Sequence, residues 1–411
     1  MNRPKGLAGH AKGQTIQIAL AWTQFIPAHV DRIVAVQARL QGRAQITAVE
    51  VAPTSLVYGD FAPADALGRF DHVQLFPDGN VNTVAALPLL WRSFRALAGK
   101  DIVCLGIPYS LKVVLLLVPL LRLCGCRVYI IYDSKFDDRP RSVWFEALKS
   151  LALASYSGAI VPSSRTRDYL RFLGFRNRII LGGADGLDIA RITQDAKAGQ
   201  TASTPSFAER DFVYVGRLAE EKNLRFLLTG FARFISCNPD SERRLKLVGA
   251  GPLEPELRVM AERLGLAGQV EFTGFKQGPE LAAILSNGLG LVLVSTSEPW
   301  GFVINEACAL GLPLLISETP GARDVLVRNL VNGFVVAPGA VDSLAAAMTA
   351  LGRDETAWRA MGEASRQRAA LGDCQRFADA VELLVDPAAQ PAGEDMDRYL
   401  ATFDETDGKR G

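Results

Sequence analysis

Short apolar runs punctuate the chain, and between them apolar residues recur with helical spacing. The runs fall at 15–22, 46–52, 72–76, 101–106, 127–132 and 158–162, and then at 212–216, 245–248, 270–273, 289–294, 313–317 and 334–336. Runs of this length bounded by turn residues read as buried strands. Strand–helix alternation predicts parallel sheets of the doubly wound type. Two series of six predict two such sheets, each with its own core. Between them, "ITQDAKAGQTASTPSFAERD" (192–211) is poor in large apolar residues and predicts a linker, firmest over 197–211. The expected organisation is a first domain over 1–196, a second over 212–385, and an acidic tail over 386–411. The tail holds a short amphipathic piece, 394–403, a candidate to pack back on the first domain.

Composition narrows the class. Of 411 residues, 49% are hydrophobic and 22% charged, enough for two ordinary cores and too apolar for a disordered chain. The net charge of +1 hides an asymmetry: residues 1–196 hold 23 Lys and Arg against 15 Asp and Glu, and the remainder holds 22 against 29. No nucleic-acid partner is expected. The longest apolar run, Val113 to Leu121, is far shorter than the roughly 20 residues a bilayer span needs. Arg3, Lys5 and Lys12 precede "TIQIALAW" in the manner of a signal peptide. The alternation of Ile16, Ile18, Leu20 and Trp22 fits a first strand better. Six cysteines lie in predicted core segments without framework spacing, which points to buried thiols in a reducing compartment, and Cys124-Gly-Cys126 lacks the second Cys/His pair of a metal site. The expected location is the cytoplasm.

The chemistry concentrates in "SEPWGFVINEACALGLP" (297–313), which carries Glu298 and Glu306 around a turn that leads into a helix. The preceding "LGLVLV" is a buried strand, so Ser295 to Gly301 form the loop at its carboxyl end, where open α/β sheets bind ligands. The helix start offers N–H groups and a partial positive charge that suit phosphate. Gly301 lets the backbone approach, with the Phe302 and Val303 N–H groups as donors. Glu306 leans back toward the helix start and is placed to accept two hydrogen bonds from a vicinal diol such as a ribose. Glu298 lies across the loop, over whatever extends beyond the phosphates. In isolation such a pair is commonly a solvated loop glutamate plus a capping one.

It is not isolated. "FVYVGRLAEEKNLRFLLTGFARF" (212–234) repeats the design: a strand, Gly216, a loop with Arg217 and Lys222, and a helix. Arg217 and Lys222 are placed to clamp a diphosphate, although such a pair alone is often a surface charge. "LKLVGAGPLEPEL" (245–257) gives Gly249 and Gly251 as close-approach glycines near a nucleotide. Pro252 and Glu254 depart from the dinucleotide fingerprint. In "VEFTGFKQGPEL" (270–281), Phe275 and Lys276 are placed to flank a base.

Together "GRLAEEKN", "LVGAGPLEPEL", "VEFTGF" and "SEPWGFVINEACALGLPLLISETPGARDVL…NGFVV" resemble the donor half of retaining family 4 glycosyltransferases. The likeness runs from about Phe212 to Pro338 in order. It implies the GT-B fold, two Rossmann-like domains facing across a cleft. By position it implies that Arg217 and Lys222 bind the donor diphosphate, Glu306 the ribose hydroxyls, and Glu298 hydroxyls of the donor sugar. In the first half, "DIVCLGIPYS" and "YIIYDSKFDD" occupy acceptor-side places, which brings in Tyr109, Asp133 and Lys135. Members often end the latter strand with His-Asp, whereas here the pair is Tyr132-Asp133. The usual Gly-rich loop after the first strand is replaced by "TQFIPAHVDR". His29 in that loop is either a stand-in for the missing histidine or a structural loop residue.

The resemblance further implies a metal-independent, retaining transfer from a UDP- or GDP-sugar, with no cofactor. The leaving β-phosphate oxygen would take the acceptor proton, so no dedicated protein base is needed. A saccharide, lipid or lipid-linked acceptor in cell-envelope glycan or glycolipid synthesis is expected. Two alternatives stay open, a nucleotide-sugar epimerase of the same architecture and a non-catalytic binder. Finally, "RTRDYLRFLGFRNR" (165–178) carries five arginines interleaved with Tyr169, Phe172 and Phe175. It is either a solvated helix and turn or a docking site on an anionic inner-membrane surface.

Overall fold

From Ile18 to Trp22 every residue is buried, although the sequence alternates large apolar residues with alanine. Helices on both faces of the sheet explain it, because a central parallel strand is covered on both sides. The computed structural model describes residues 15–55, 70–138, 140–199 and 204–386. Among these, β1 (Ile16–Trp22), β2 (Ala44–Glu50), β3 (Asp71–Gln74), β4 (Ile102–Leu105), β5 (Arg127–Ile131), β6 (Gly158–Ile160) and β7 (Ile179–Leu181) form one parallel sheet. Its order is β3-β2-β1-β4-β5-β6-β7. The seventh strand was not foreseen: its three residues, between an arginine-rich turn and Gly182, are too few to show a period. The second sheet consists of β8 (Phe212–Val215), β9 (Leu245–Val248), β10 (Val270–Gly274), β11 (Gly290–Leu293), β12 (Leu314–Ser317) and β13 (Gly333–Val336). It runs β10-β9-β8-β11-β12-β13, all parallel, as the six-run pattern predicts.

The chain divides into two compact units. In the first, the helices are α1 (Pro27–Arg39), α2 (Ala86–Leu97), α3 (Val114–Leu123), α4 (Val143–Leu153) and α5 (Ser164–Phe172). The second unit takes Ile189–Asp373 together with residues 137 and 138. Its helices are α6 (Ile189–Gly199), α7 (Leu224–Cys237), α8 (Glu254–Arg263), α9 (Gly278–Ser286), α10 (Phe302–Leu310), α11 (Arg323–Leu326), α12 (Val341–Arg353) and α13 (Glu355–Ala369).

At Cys374 the chain returns to the first unit through α14 (Gln375–Val385), which packs on α1. Arg39 pairs there with Asp379, and Arg43 with Glu382. Phe377 is buried near Trp22, at 6.1 Å between ring centroids. Of the expected linker, residues 197–199 end α6 and Phe207–Glu209 form a single 3-10 turn before β8. The amphipathic piece at 394–403 and the basic residues before Gln14 lie outside the described residues.

Right-handed crossovers set the layers of the first unit. The chain moves one way from β1 to β2 and the other way from β3 through β7. α1 therefore covers one face, with α14 beside it, and α2, α3, α4 and α5 cover the other. Two expectations about side chains are corrected. Cys124 and Cys237 are exposed rather than core thiols. In the 165–178 stretch Tyr169 and Phe175 are buried, so of its three aromatics only Phe172 faces out.

Candidate active site

The order of the second sheet reverses between β8 and β11, and the crevice outside such a reversal is where this architecture binds ligands. Both flanking loops carry the charges singled out from sequence. The β8 loop makes a 3-10 turn, Glu220–Lys222, and ends at Asn223, whose left-handed backbone (φ 57°) starts α7. The β11 loop runs through Pro299 and Trp300 to Gly301, whose φ of 99° favours glycine and starts α10. The loops are laced together: the Thr296 N–H donates to Glu221 O at 2.9 Å, and Asn223 Nδ2 donates to Val294 O at 3.3 Å.

Across them Lys222 Nζ pairs with the Glu298 carboxylate, their side chains 14% and 12% exposed. Ser295 Oγ donates to the same carboxylate oxygen at 3.2 Å. Arg217 is more open and pairs with Glu221 at 2.6 Å. Its backbone is fixed by the buried Tyr214, whose hydroxyl donates to Arg217 O at 2.7 Å. Burial, then the Glu298 and Glu221 charges, hold that phenol well above its usual range, so it stays a donor.

The two glycines of the β9 loop have a different local reason to be glycine. A Cβ on Gly249 would lie 2.0 Å from Gly216 O, and one on Gly251 would lie 2.4 Å from Leu218 O. Their immediate neighbour is thus the β8 loop. Phe275 is exposed just past β10, and Lys276 pairs with Glu280 at 3.1 Å. Glu306 is the fifth residue of α10. It lines a cavity of about 20 Å³ with Leu281 and Leu285 of α9 and with Arg191 and Asp195 of α6, themselves paired at 3.2 Å.

In the first unit the named residues likewise follow strand ends. Tyr109 lies beyond β4 and stacks on Tyr132 at 6.3 Å. Asp133 is exposed beyond β5, and Lys135 is buried with its carbonyl accepting from Arg141. His29 is in the first turn of α1, buried, stacked on Trp22 at 4.8 Å, with Nδ1 2.9 Å from Gln24 O. Burial and the nearby Arg32 charge hold its pKa well below the ordinary value, so the ring is neutral.

The sequence reading missed four supports. Ser295 is one, visible in hindsight as Ser-x-x-Glu. Tyr214 inside β8 is another, and no period marks it. Asn305 takes the Trp300 indole N–H at 2.9 Å and donates to Gly372 O at 2.9 Å, pinning the Pro-Trp-Gly turn to α10. Asp185 follows β7 and faces Arg32 at 3.5 Å. Burial pushes its pKa up to about 7 against the pull of Arg32, and only the Gly-rich "LGGADG" hinted at it.

Residues 203–368 match the family glycosyl transferases group 1. Glycogen synthase of Mycobacterium tuberculosis is 30% identical over 184 residues, 45% of this chain and 42% of that protein. The sulfoquinovosyl transferase of Arabidopsis thaliana is 29% identical over 157 residues, 38% of this chain and 29% of that protein. The O-antigen chain mannosyltransferase C of Escherichia coli is 30% identical over 159 residues, 38% and 41%. The chain thus spans between about three tenths and two fifths of the length of these relatives. The crystal structure of Anabaena HepE in complex with UDP and glucose superposes with a TM-score of 0.67 at 18% identity, covering 90% of this chain and all of that one. The fold of the chain is GT-B, and its stretch 203–368 is similar to the glycosyl transferases of group 1.

Proposed function

We propose that this protein is a retaining glycosyltransferase that moves a sugar from a UDP- or GDP-sugar to a hydroxyl group of a saccharide, lipid or lipid-linked acceptor. One observation carries the reading: at the switch point of the second sheet Lys222 pairs with Glu298, on the loop that leads into α10, and Arg217 shares the loop of Lys222. Two cations and a helix N-terminus suit a diphosphate. Charge stabilisation of a departing diphosphate is the main catalytic task such a site performs. The bond from the sugar C1 to the diphosphate oxygen breaks on the face where the acceptor oxygen bonds to C1. The acceptor proton passes to the leaving β-phosphate oxygen, giving nucleoside diphosphate and glycoside.

Glu298 is assigned to the donor sugar and Glu306 to the ribose, with Gly216, Gly249, Gly251, Phe275, Lys276, Gly301, Phe302 and Val303 around the nucleotide. The acceptor side is assigned to His29, Tyr109, Asp133 and Lys135. Arg217 and Lys222 supply the positive charge that Mg²⁺ gives in other transferases, so no metal or cofactor enters the scheme. An envelope glycan acceptor at the inner face of the membrane is supported by the O-antigen relative and by the +8 balance of residues 1–196. Among the described residues no helix is long and apolar enough to cross a membrane.

A thermal-shift panel with UDP, GDP and ADP tests the donor, one nucleoside diphosphate raising Tm above the others. Consumption of the matching nucleotide sugar is then followed with and without a saccharide acceptor, in EDTA. Turnover that needs acceptor supports transfer. Turnover without it supports an epimerase, and binding without turnover a carrier. Activity lost in EDTA and restored by Mg²⁺ or Mn²⁺ sinks the metal-free scheme.

A further inference from the structure

α4 is built inside out. Its buried face carries Glu146, whose carboxylate accepts from the Tyr169 hydroxyl and from Lys149 Nζ at 2.9 Å. Arg141 adds a bond to the same hydroxyl at 3.0 Å. Its outward face carries Val143, Trp144, Phe145, Leu148 and Leu151, with Trp144 82% and Phe145 67% exposed. A helix of a globular unit normally turns its apolar stripe inward. Here a polar network holds the charged side down and leaves the aromatic side unpartnered.

α3, in the same layer, repeats the feature. Val114, Leu117, Val118 and Leu121 are buried, and Leu115, Leu116, Leu120 and Leu123 face out. Scattered exposed apolar residues need no explanation, but two helices of one layer that each turn an apolar stripe outward mark an interaction surface.

The charge around this face identifies its partner. Between the C-terminal ends of α3 and α4 lies an open groove of about 620 Å³, lined by Pro119, Leu123, Tyr156, Arg122 and Arg178. Arg122 gives a hydrogen bond to Cys126 O at 3.0 Å, and Arg178 gives bonds to Leu153 O and Ala154 O. Neither is paired with a carboxylate among the described residues. Burial and the Arg122 charge both depress the Arg178 pKa, so these two cations sit close without an anion. Residues 112–178 hold twelve Lys and Arg against five Asp and Glu. A second copy meeting this face through a two-fold axis would set like charge against like. An anionic lipid surface meets both needs, with acyl chains for the aromatic face and phosphates for the arginines.

We infer that the outward faces of α3 and α4 insert into the interfacial layer of an anionic bilayer, with Arg122 and Arg178 taking lipid phosphate. The inference rests on the membrane part of the proposed function and moves the inserting surface away from 165–178. Of that stretch it keeps Arg178, which lines the groove. It does not depend on the transfer chemistry.

The test uses the full chain and co-sedimentation with vesicles of phosphatidylcholine alone or of equimolar phosphatidylcholine and phosphatidylglycerol. The anionic vesicles should bind the protein and the neutral ones should not. Trp144→Glu with Phe145→Glu should weaken binding by roughly tenfold or more, since two large apolar side chains leave the lipid. Arg122→Glu with Arg178→Glu should weaken it by a similar factor at low salt. Fluorescence guards against misfolded variants: brominated lipid should quench wild-type emission, and Trp144→Phe should lose that quenching while still binding.

Wild-type affinity in the Trp144→Glu, Phe145→Glu variant overturns the inference. So does the absence of vesicle binding, or concentration-dependent self-association that this variant abolishes, which would make the partner a second copy. Nucleotide thermal shifts on the same preparations keep the readings apart. Vesicle binding without a nucleotide response sinks the donor reading alone, and the converse sinks this one alone.

Discussion

Lys222 and Glu298 form an ion pair that ties the loop after β8 to the loop after β11, with Ser295 donating to the same carboxylate. The pair sets the cation proposed for the diphosphate against the glutamate proposed for the donor sugar. The pair has two uses. It orders the two loops before ligand arrives, and it compensates two charges in a place where water is largely excluded.

The stability of this pair is measurable. Both side chains are mostly buried, so removing one partner leaves the other poorly solvated. Lys222→Met and Glu298→Gln should each lower stability in urea, and the double variant should lose less than their sum. The coupling energy is expected at roughly 1–3 kcal/mol. Additive single effects would show that the contact contributes nothing to folding.

Gly249→Ala tests how closely the β8 and β9 loops approach. The new Cβ would fall 2.0 Å from Gly216 O, and the Gly216 and Leu218 N–H groups already bond to Val248 O and Ala250 O. The clash cannot relax without breaking those bonds, so a loss of about 3 kcal/mol is expected. Gly265→Ala is the control: its φ is also positive but nothing lies within 4 Å, so only backbone strain of roughly 1 kcal/mol should appear. Equal losses at the two sites would contradict the close approach.

The second unit was more legible than the first for a physical reason. Its strands are short runs rich in large apolar residues, each ending in a loop with glycine and charge, so period and chemistry point to the same places. All six strands and the loops bearing Arg217, Lys222, Glu298 and Gly301 lie where the pattern set them. Less legible were features that depend on tertiary neighbours. β7 is three residues long, and Tyr214 differs from a core aromatic only by where its hydroxyl points. The return of α14 to the first unit depends on Arg39, Arg43, Asp379 and Glu382, which look in sequence like ordinary surface charges. Tyr169 and Phe175 read as interfacial aromatics because the stretch around them is basic, yet both are core. The exposed side of α4 was hidden for the opposite reason, since apolar positions in a helix are read as inward.

His29 gives a pH signature. Its folded pKa is depressed, chiefly by burial and then by Arg32, so below the ordinary histidine value the unfolded chain binds a proton that the native state refuses. Stability from this group is complete above about pH 6.5 and declines as pH falls, by at most about 1.4 kcal/mol per pH unit. His29→Gln should flatten the stability profile between about pH 6.5 and 5.5, relative to wild type. An unchanged slope would mean that another group controls that range.

Lys222→Ala and Glu306→Ala should fail in different ways if the proposed assignments hold. Glu306 lies along α10 and lines a cavity with the Arg191–Asp195 pair. A carboxylate that accepts from ribose hydroxyls binds ground state and transition state alike. Its loss should weaken nucleoside diphosphate and nucleotide sugar equally, by roughly 1.5–3 kcal/mol, and appear in KM. Lys222 faces charge that grows as the diphosphate leaves, so its loss should lower kcat as well as affinity. The experiment is steady-state kinetics on both variants alongside calorimetric binding of the nucleoside diphosphate alone. If the two variants alter only KM and by the same factor, Lys222 is a binding residue and leaving-group stabilisation must come from Arg217 and the start of α10.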